Sequence, residues 1–253
     1  GSNWEKWTKG FPTTSVKDLV IQPREHDLVI GTFGRAAWVL DDIRPLRAIA
    51  KDNSTLSRKL QLFQPPTAYQ AAYQQPTGSR FGGDALYNAE NRGRGAHISY
   101  YVKKDEISAS ADTKEKDEED EDEISASADT EVKKITWDSI HLKIYDGERQ
   151  IRHLKWKTPD STGIHKTRWF MNEAGGDRPS RSVRKRTNES GGVDVKPGTY
   201  RLEMSYGDQT STSTITVESD PRIDVPQKAI NDAYEVGKTL EGIPGLNIFS
   251  DAF

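Results

Sequence analysis

The sequence predicts a mainly β chain made of an incomplete β-unit, a β-sandwich and a short helical tail. Residues 16–47 contain two apolar runs of strand length, a polar turn and a third run preceded by glycines. From residue 96 onward, short alternating segments separated by Asp-Gly, Pro-Gly and Gly-Asp turns are typical of antiparallel sheets. Only 33% of the 253 residues are hydrophobic and 30% are charged, which favours compact modules joined by polar segments.

The first part, residues 1–46, is a β-unit that cannot bury its own faces. Strands are predicted at residues 16–21, 28–32 and 36–40. Gly31 and Gly34 permit a bulge or a tight turn before the third strand, in which we expect Trp38 to lie in the core of the unit. Pro45 argues against any extension of the ladder. Because two or three strands alone are marginal in water, the unit is expected to pack against further β-structure.

The second part, residues 96–220, carries the pattern of a sandwich with two antiparallel sheets and about seven strands. Its strands are predicted at residues 97–103, 139–145, 150–157, 163–171, 200–206 and 211–218. The segment before it, residues 47–95, is predicted to be a linker with one short returning strand at 60–63. In the tail, 221–253, a proline at a first helical turn and an amphipathic pattern predict a helix over 226–240.

An acidic, duplicated segment interrupts the predicted sandwich at residues 105–134. It holds 13 acidic residues and 4 lysines, a net charge of −9, which leaves +6 for the rest of a chain whose net charge is −3. The sequence DEISASADT occurs at 105–113 and again at 122–130. Such composition buries little apolar surface and predicts a solvated loop insertion. Calcium binding is the alternative, but the segment lacks the alternating acids and turn glycine of an EF-hand loop.

Composition excludes several classes of site. Cysteine is absent, so the chain has no disulfide, no thiolate nucleophile and no cysteine metal ligand. No apolar run approaches the roughly 20 residues that a membrane helix needs, so no membrane span is expected. Any export signal would have to lie upstream of the first residue.

Candidate catalytic and metal-binding residues are sparse. A glycosidase needs two carboxylates held at a set separation, and the candidates Glu25, Asp41 and Asp42 all follow turns or strand ends, where carboxylates usually satisfy backbone donors. The histidines at 26, 97, 141, 153 and 165 are scattered without a close pair, and only His141 and His153 flank a common hairpin. We therefore expect no catalytic residue, no cofactor and no metal site.

Two further groups of residues could bind a ligand or partner. The run 178–186 contains Arg178, Arg181, Arg184, Lys185 and Arg186, which could neutralise phosphates. No aromatic residues interleave with this run, so a solvated loop or contact with an acidic partner is favoured and nucleic-acid binding is not expected. Trp137, Trp156 and Trp169 could form a platform for stacking a sugar, although tryptophans at alternating strand positions are more often core residues.

The order of several motifs resembles one family. The stretch 18–47, DLVIQPREHDLVIGTFGRAAWVLDDIRPLR, is similar to the last blade of large bacterial propeller proteins known as sortilin-like or BNR-repeat (Asp-box) proteins and often labelled glycosyl hydrolases. GRGAHISYYV (93–102), HLKIYDGERQIRHL (141–154), VKPGTYRLEM (195–204) and SDPRI (219–223) are similar, in order, to the sandwich that follows that propeller.

The chain departs from the family pattern at two places. Phe33 to Ala36 stand where family members commonly have His-Gly-Arg-Gly, and Trp169 to Asn172 stand where they have Trp-Asp-Leu-Arg. These departures suggest a subgroup, of Bacteroidetes type, and remove polar groups that could have lined a site.

The resemblance implies a terminal propeller blade followed by an immunoglobulin-like or fibronectin-like sandwich and a short helix. It further implies an exported protein at the bacterial cell or outer-membrane surface, in which the sandwich braces the propeller and contacts other proteins. The partners would be the remaining blades, from the same precursor or another chain, and a cell-surface complex. Two alternatives stay open: part of a glycoside-hydrolase-like enzyme whose site lies in upstream blades, and a carbohydrate-binding sandwich.

Overall fold

A computed structural model describes residues 6–7, 10–71, 92–104, 139–176 and 189–241, and the chain is predominantly β. It divides into two compact units, Gly1–Thr55 and Leu56–Phe253. The predicted acidic insertion, the basic run 178–186, Trp137 and most of the glycine-rich part of the linker lie outside the described residues.

The described part of the first unit, residues 6–7 and 10–55, contains one antiparallel sheet and one α-helix. Its elements are β1 (Val16–Ile21), β2 (Leu28–Thr32), β3 (Ala37–Leu40) and α1 (Arg44–Lys51), followed by a 3₁₀ turn over Asn53–Ser57. The strands lie in the order β1-β2-β3, as the alternating pattern predicts. Helix α1 was not predicted, because Pro45 was interpreted only as a stop to the ladder. Proline also fits the first turn of a helix, where no amide hydrogen is needed, and Pro45 occupies that position.

In the ranges that the structure describes, the second unit contains three sheets and one longer helix. Its elements are β4 (Leu60–Leu62), β5 (Ala68–Gln70), β6 (Ala96–Val102), β7 (Ser139–Asp146), β8 (Arg149–Lys157), β9 (Gly163–Trp169), β10 (Asn172–Gly175), β11 (Ser190–Asp194), β12 (Gly198–Tyr206), β13 (Gln209–Ser219) and α2 (Gln227–Glu241). The sheets have the orders β5-β13-β12-β7-β8, β4-β6-β9 and β10-β11.

Strand alternation builds the core of the second unit. In β7 and β12 every second residue is buried, and the residues between them face away from the core. The fully buried side chains include Ile98, Val102, Ile140, Leu142, Ile144, Leu202, Met204 and Ile215. They come from both the five-stranded and the three-stranded sheet and form one cluster. Two sheets therefore share a single hydrophobic core.

Three details differ from the predicted strands. The short strands β5, β10 and β11 were not predicted, and β5 pairs in parallel with β13, so the larger sheet is mixed rather than purely antiparallel. Strand β9 ends at Trp169 instead of residue 171, because Met171 adopts a left-handed backbone conformation with φ of 58°.

Candidate functional site

The sheet of the first unit, named here the N-terminal sheet (β1, β2 and β3), is apolar on both faces. Leu19 pairs with Ile30, which pairs with Trp38, so these three side chains lie in one row on one face. The next row, on the opposite face, consists of Val20, Val29 and Val39. A sheet that is apolar on both sides is typical of strands covered from both directions.

Much of this apolar surface is exposed in the described residues. Leu19, Val20 and Val39 are each more than half exposed, at 58%, 53% and 57%, and Phe33 reaches 74%. All six residues of β1 are exposed, and β1 forms an edge of the sheet. Exposed apolar surface next to an open strand edge marks a place where other β-structure can pack.

The sequence predicted that Trp38 lies in the core of the unit, but the structure does not enclose this side chain. It is partly buried, its indole Nε1 donates to the Arg35 carbonyl at 2.8 Å, and Phe11 packs edge-on against it with ring centroids 5.6 Å apart. The N-terminal sheet is thus too small to enclose its only tryptophan in the described part.

Among the candidate acids of the first unit, Asp42 helps to hold a turn in place. Asp42 accepts from Arg44 Nε at 2.6 Å, and the guanidinium of the same arginine donates to the Glu25 carbonyl at 3.0 Å. The Glu25 carboxylate accepts from Arg24 at 3.0 Å, and Asp41 is exposed at the end of β3. These contacts tie the β1–β2 turn to the start of α1, which is the bracing role that carboxylates at turns usually have.

Two histidines meet on the face of the five-stranded sheet that points away from the core. His141 Nδ1 lies 2.9 Å from His153 Nε2, and the two rings stack with centroids 5.1 Å apart. The prediction that no histidines form a close pair was therefore wrong. Burial, with added repulsion from His153, Lys155 and Lys143, lowers the pKa of His141.

The other three histidines each have a separate local partner. His97 and His165 place Nε2 2.8 Å from the carbonyls of Gly93 and Ser161. His26 lies 3.4 Å from Arg47, between Nδ1 and Nη1. In the described ranges no three or more His, Asp or Glu side chains converge on a metal-sized space.

The structure separates the two described candidates for sugar stacking. Trp169 is completely buried, donates from Nε1 to the Asn172 carbonyl at 2.9 Å and packs edge-on against Tyr200, so neither ring face can meet an external sugar. Trp156 is partly buried against the core and donates to the Tyr100 hydroxyl at 2.9 Å. A platform built from both rings is therefore not available.

The most concentrated polar cluster surrounds Glu173, which sequence reasoning missed. Its carboxylate accepts two hydrogen bonds from Arg149, at 2.7 and 2.9 Å, and one from the Tyr234 hydroxyl at 2.6 Å. Lys238 Nζ lies 3.2 Å away and also contacts Glu241 at 2.8 Å. Glu173 lies in a four-residue strand. Arg149 precedes it by 24 residues and Tyr234 follows it by 61, so no local pattern could indicate the cluster.

This cluster attaches helix α2 to the second unit. No residue of α2 is buried, so apolar packing contributes little to holding it. Instead Tyr234 and Lys238 bind Glu173, and the Glu241 carboxylate accepts the backbone N–H of Val193 in β11 at 2.8 Å. Burial alone would raise the pKa of Glu173, but hydrogen bonds from Arg149, Tyr234 and Lys238 prevail and lower it to about 2. Glu173 is therefore the main anchor of the helix, and the Glu241 carboxylate adds a second contact.

A second arginine–carboxylate contact shapes the segment between β13 and α2. Asp220 accepts from both the side chain and the backbone N–H of Arg222, and these bonds lower its pKa to about 2. The motif SDPRI, quoted above for the family resemblance, is thus a self-contained turn held by its own charges.

No family model, curated protein or solved structure matches this chain significantly. No helix in the described ranges is both long enough and apolar enough to cross a membrane. The basic residues 178–186, predicted to contact a partner, lie outside the described residues.

Proposed function

We propose that the chain is the non-catalytic C-terminal region of an exported bacterial β-propeller protein. In this proposal the N-terminal sheet belongs to the last blade, and the second unit is an immunoglobulin-like sandwich that braces the propeller and contacts other proteins at the cell surface. Support comes from the order of the family-like motifs and above all from one observation. The N-terminal sheet is apolar on both faces, and its edge strands leave Leu19, Val20 and Val39 more than half exposed, although Ile30 in the central strand is buried.

The energetics favour a sheet that is covered by neighbours. Burying a Leu, Val or Phe side chain completely stabilises a protein by about 1.5–3 kcal/mol, so covering half of each side chain contributes about 1 kcal/mol. For Leu19, Val20, Val39 and Phe33 this amounts to about 4 kcal/mol, a large share of the 5–15 kcal/mol that stabilises a whole domain. In a propeller each blade packs between two others, which is the environment that the two apolar faces require.

The proposal assigns no reaction centre to this chain. In the described residues, the Glu25 carboxylate pairs with the neighbouring Arg24, Asp42 braces a turn, Glu173 anchors a helix and the histidine pair lies on the outside of a sheet. A reaction attributed to the family label would have to take place in blades upstream. Contact with partners would then be the contribution of the second unit.

Lysine substitutions on the N-terminal sheet test the proposal. Val20→Lys and Leu19→Lys each place a charge on the N-terminal sheet, on opposite faces. Because both positions are already exposed in this chain, each substitution should change the unfolding free energy of the isolated chain by less than about 0.5 kcal/mol. In the complete protein, purified with its other β-structure, each should lower the melting temperature by several degrees or prevent assembly. Thr212→Lys, on an exposed position of β13, is the control.

Two outcomes contradict the proposal. One is a complete protein that carries either lysine and melts at the same temperature as the wild type. The other is a large loss of stability in the isolated chain, which would mean that this chain already buries both faces by itself.

A further inference from the structure

The histidine pair occupies a regular position on the five-stranded sheet, independent of the proposed propeller contacts. His141 pairs with Lys155 across β7 and β8, and Lys143 pairs with His153. The two imidazoles are therefore diagonal neighbours on one face, and the strand backbone fixes their separation. A pair of side chains held by a sheet is better positioned than a pair on loops.

His141 can turn the hydrogen bond that it shares with His153 into a pair of ligand nitrogens. Its Nε2 lies 3.1 Å from the Ser139 hydroxyl oxygen, which can accept an N–H and hold the ring in the tautomer with Nδ1 unprotonated. His153 presents an unprotonated Nε2 when its proton is on Nδ1. Both nitrogens can thus act as ligands through a change of tautomer alone, without net loss of a proton.

The separation of the two nitrogens in their present hydrogen bond is already close to that of two ligands on one metal ion. With metal–nitrogen bonds of about 2.0 Å, two ligands at a right angle are about 2.8 Å apart, whereas tetrahedral ligands are about 3.3 Å apart. The observed distance is 2.9 Å. Right-angled nitrogen ligands are typical of copper(II) and nickel(II), and copper(II) binds nitrogen sites most strongly among the divalent first-row ions.

The surrounding charges partly balance. Lys143 and Lys155 oppose a cation, but Lys143 also lies 4.0 Å from the Glu203 carboxylate. On the other side, the Glu189 carboxylate accepts the backbone N–H of His153 at 3.2 Å, so a negative charge lies beside the pair. These groups leave a site that a cation can approach from solvent.

We propose that His141 and His153 form a surface site for a late divalent transition cation, copper(II) foremost, with water completing the coordination. The cation would bind through His141 Nδ1 and His153 Nε2 after a small rotation of both rings. Ser139 acts as a positioning residue through the remaining nitrogen of His141.

Titration of the chain with copper(II), followed by calorimetry and electron paramagnetic resonance, tests the site. The expected result is one equivalent of copper(II) whose spectrum shows coupling to two imidazole nitrogens. His141→Gln and His153→Gln should each remove one of these couplings and weaken binding, and Ser139→Ala should weaken it by about tenfold. Circular dichroism checks that each variant keeps its fold.

His165→Gln is the matched control, because His165 lies on another sheet and bonds to the Ser161 carbonyl. It should bind copper(II) as the wild type does. Equal weakening by all the histidine variants, or binding that survives both His141→Gln and His153→Gln, would overturn the site. Tighter binding of zinc than of copper(II) would overturn the assignment of copper(II) as the preferred cation.

Discussion

Replacing Glu173 by glutamine should destabilise the second unit by about 3 kcal/mol. The pKa of Glu173 falls from the ordinary 4.5 to about 2, and one pKa unit corresponds to about 1.4 kcal/mol of preference for the ionised form. An independent route gives a similar value, since removing one partner of a buried ion pair costs about 3–5 kcal/mol. The lower end applies here because the side chain of Arg149 is 50% exposed and regains water when it loses its partner.

Urea unfolding at pH 7, followed by circular dichroism, measures this cost. Glu203→Gln is the matched control, because Glu203 contacts Arg201 and Lys143 on a solvent-facing side of the sheet and should cost less than about 1 kcal/mol. Hydrogen exchange should also show faster exchange throughout α2 in Glu173→Gln, since the helix loses its anchor. Equal losses in the two variants, with α2 unchanged, would refute the reasoning.

The remaining predictions concern acid, the core and the helix anchor. Because the folded-state pKa of Glu173 is lowered, its stabilisation is complete above about pH 4.5 and is lost as pH falls toward 2, so the stability difference between wild type and Glu173→Gln should shrink over that window in urea titrations. Trp169→Ala should cost about 3–5 kcal/mol in thermal or urea unfolding, whereas Phe170→Ala, at a residue 57% exposed, should stay within about 0.5 kcal/mol. Tyr234→Phe removes one hydrogen bond to the Glu173 carboxylate and should cost about 1.5–3 kcal/mol, with a double-mutant cycle showing coupling to Glu173→Gln.

Local patterns were enough to predict the long elements. Residues 16–21 and 28–32 alternate or run apolar between turn residues, and β1 and β2 have the predicted bounds. Asp146-Gly147 and Gly207-Asp208 indicated the hairpins β7–β8 and β12–β13, because glycine adopts without strain the positive φ that each turn needs. Strand period and turn chemistry act over a few residues, so a single sequence displays them.

The features that were not predicted depend on distant partners or on residues that fit two kinds of secondary structure. β5 is three residues long and pairs with β13 some 150 residues later, and β11 begins with Ser190 and two glycines, which resemble a loop. Pro45 both ends a strand pattern and begins a helix. The Glu173 cluster joins residues that are 24 and 61 positions apart, and no local spacing indicates it. The histidine pair lies across the predicted β7–β8 hairpin, but a register shift between Ile144 and Tyr145 decides which residues face each other, and the turn residues alone do not reveal that shift.

Solvent accessibility of the N-terminal sheet in the complete native protein tests the central claim most directly. Hydroxyl-radical footprinting, read by mass spectrometry, reports the exposure of Leu19, Val20, Phe33 and Val39 in that protein and in this chain alone. We predict heavy labelling of these four side chains in the isolated chain and strong protection in the native protein, while the exposed Phe170 is labelled in both. Equal labelling of the four side chains in both samples would contradict the claim that further β-structure covers this sheet.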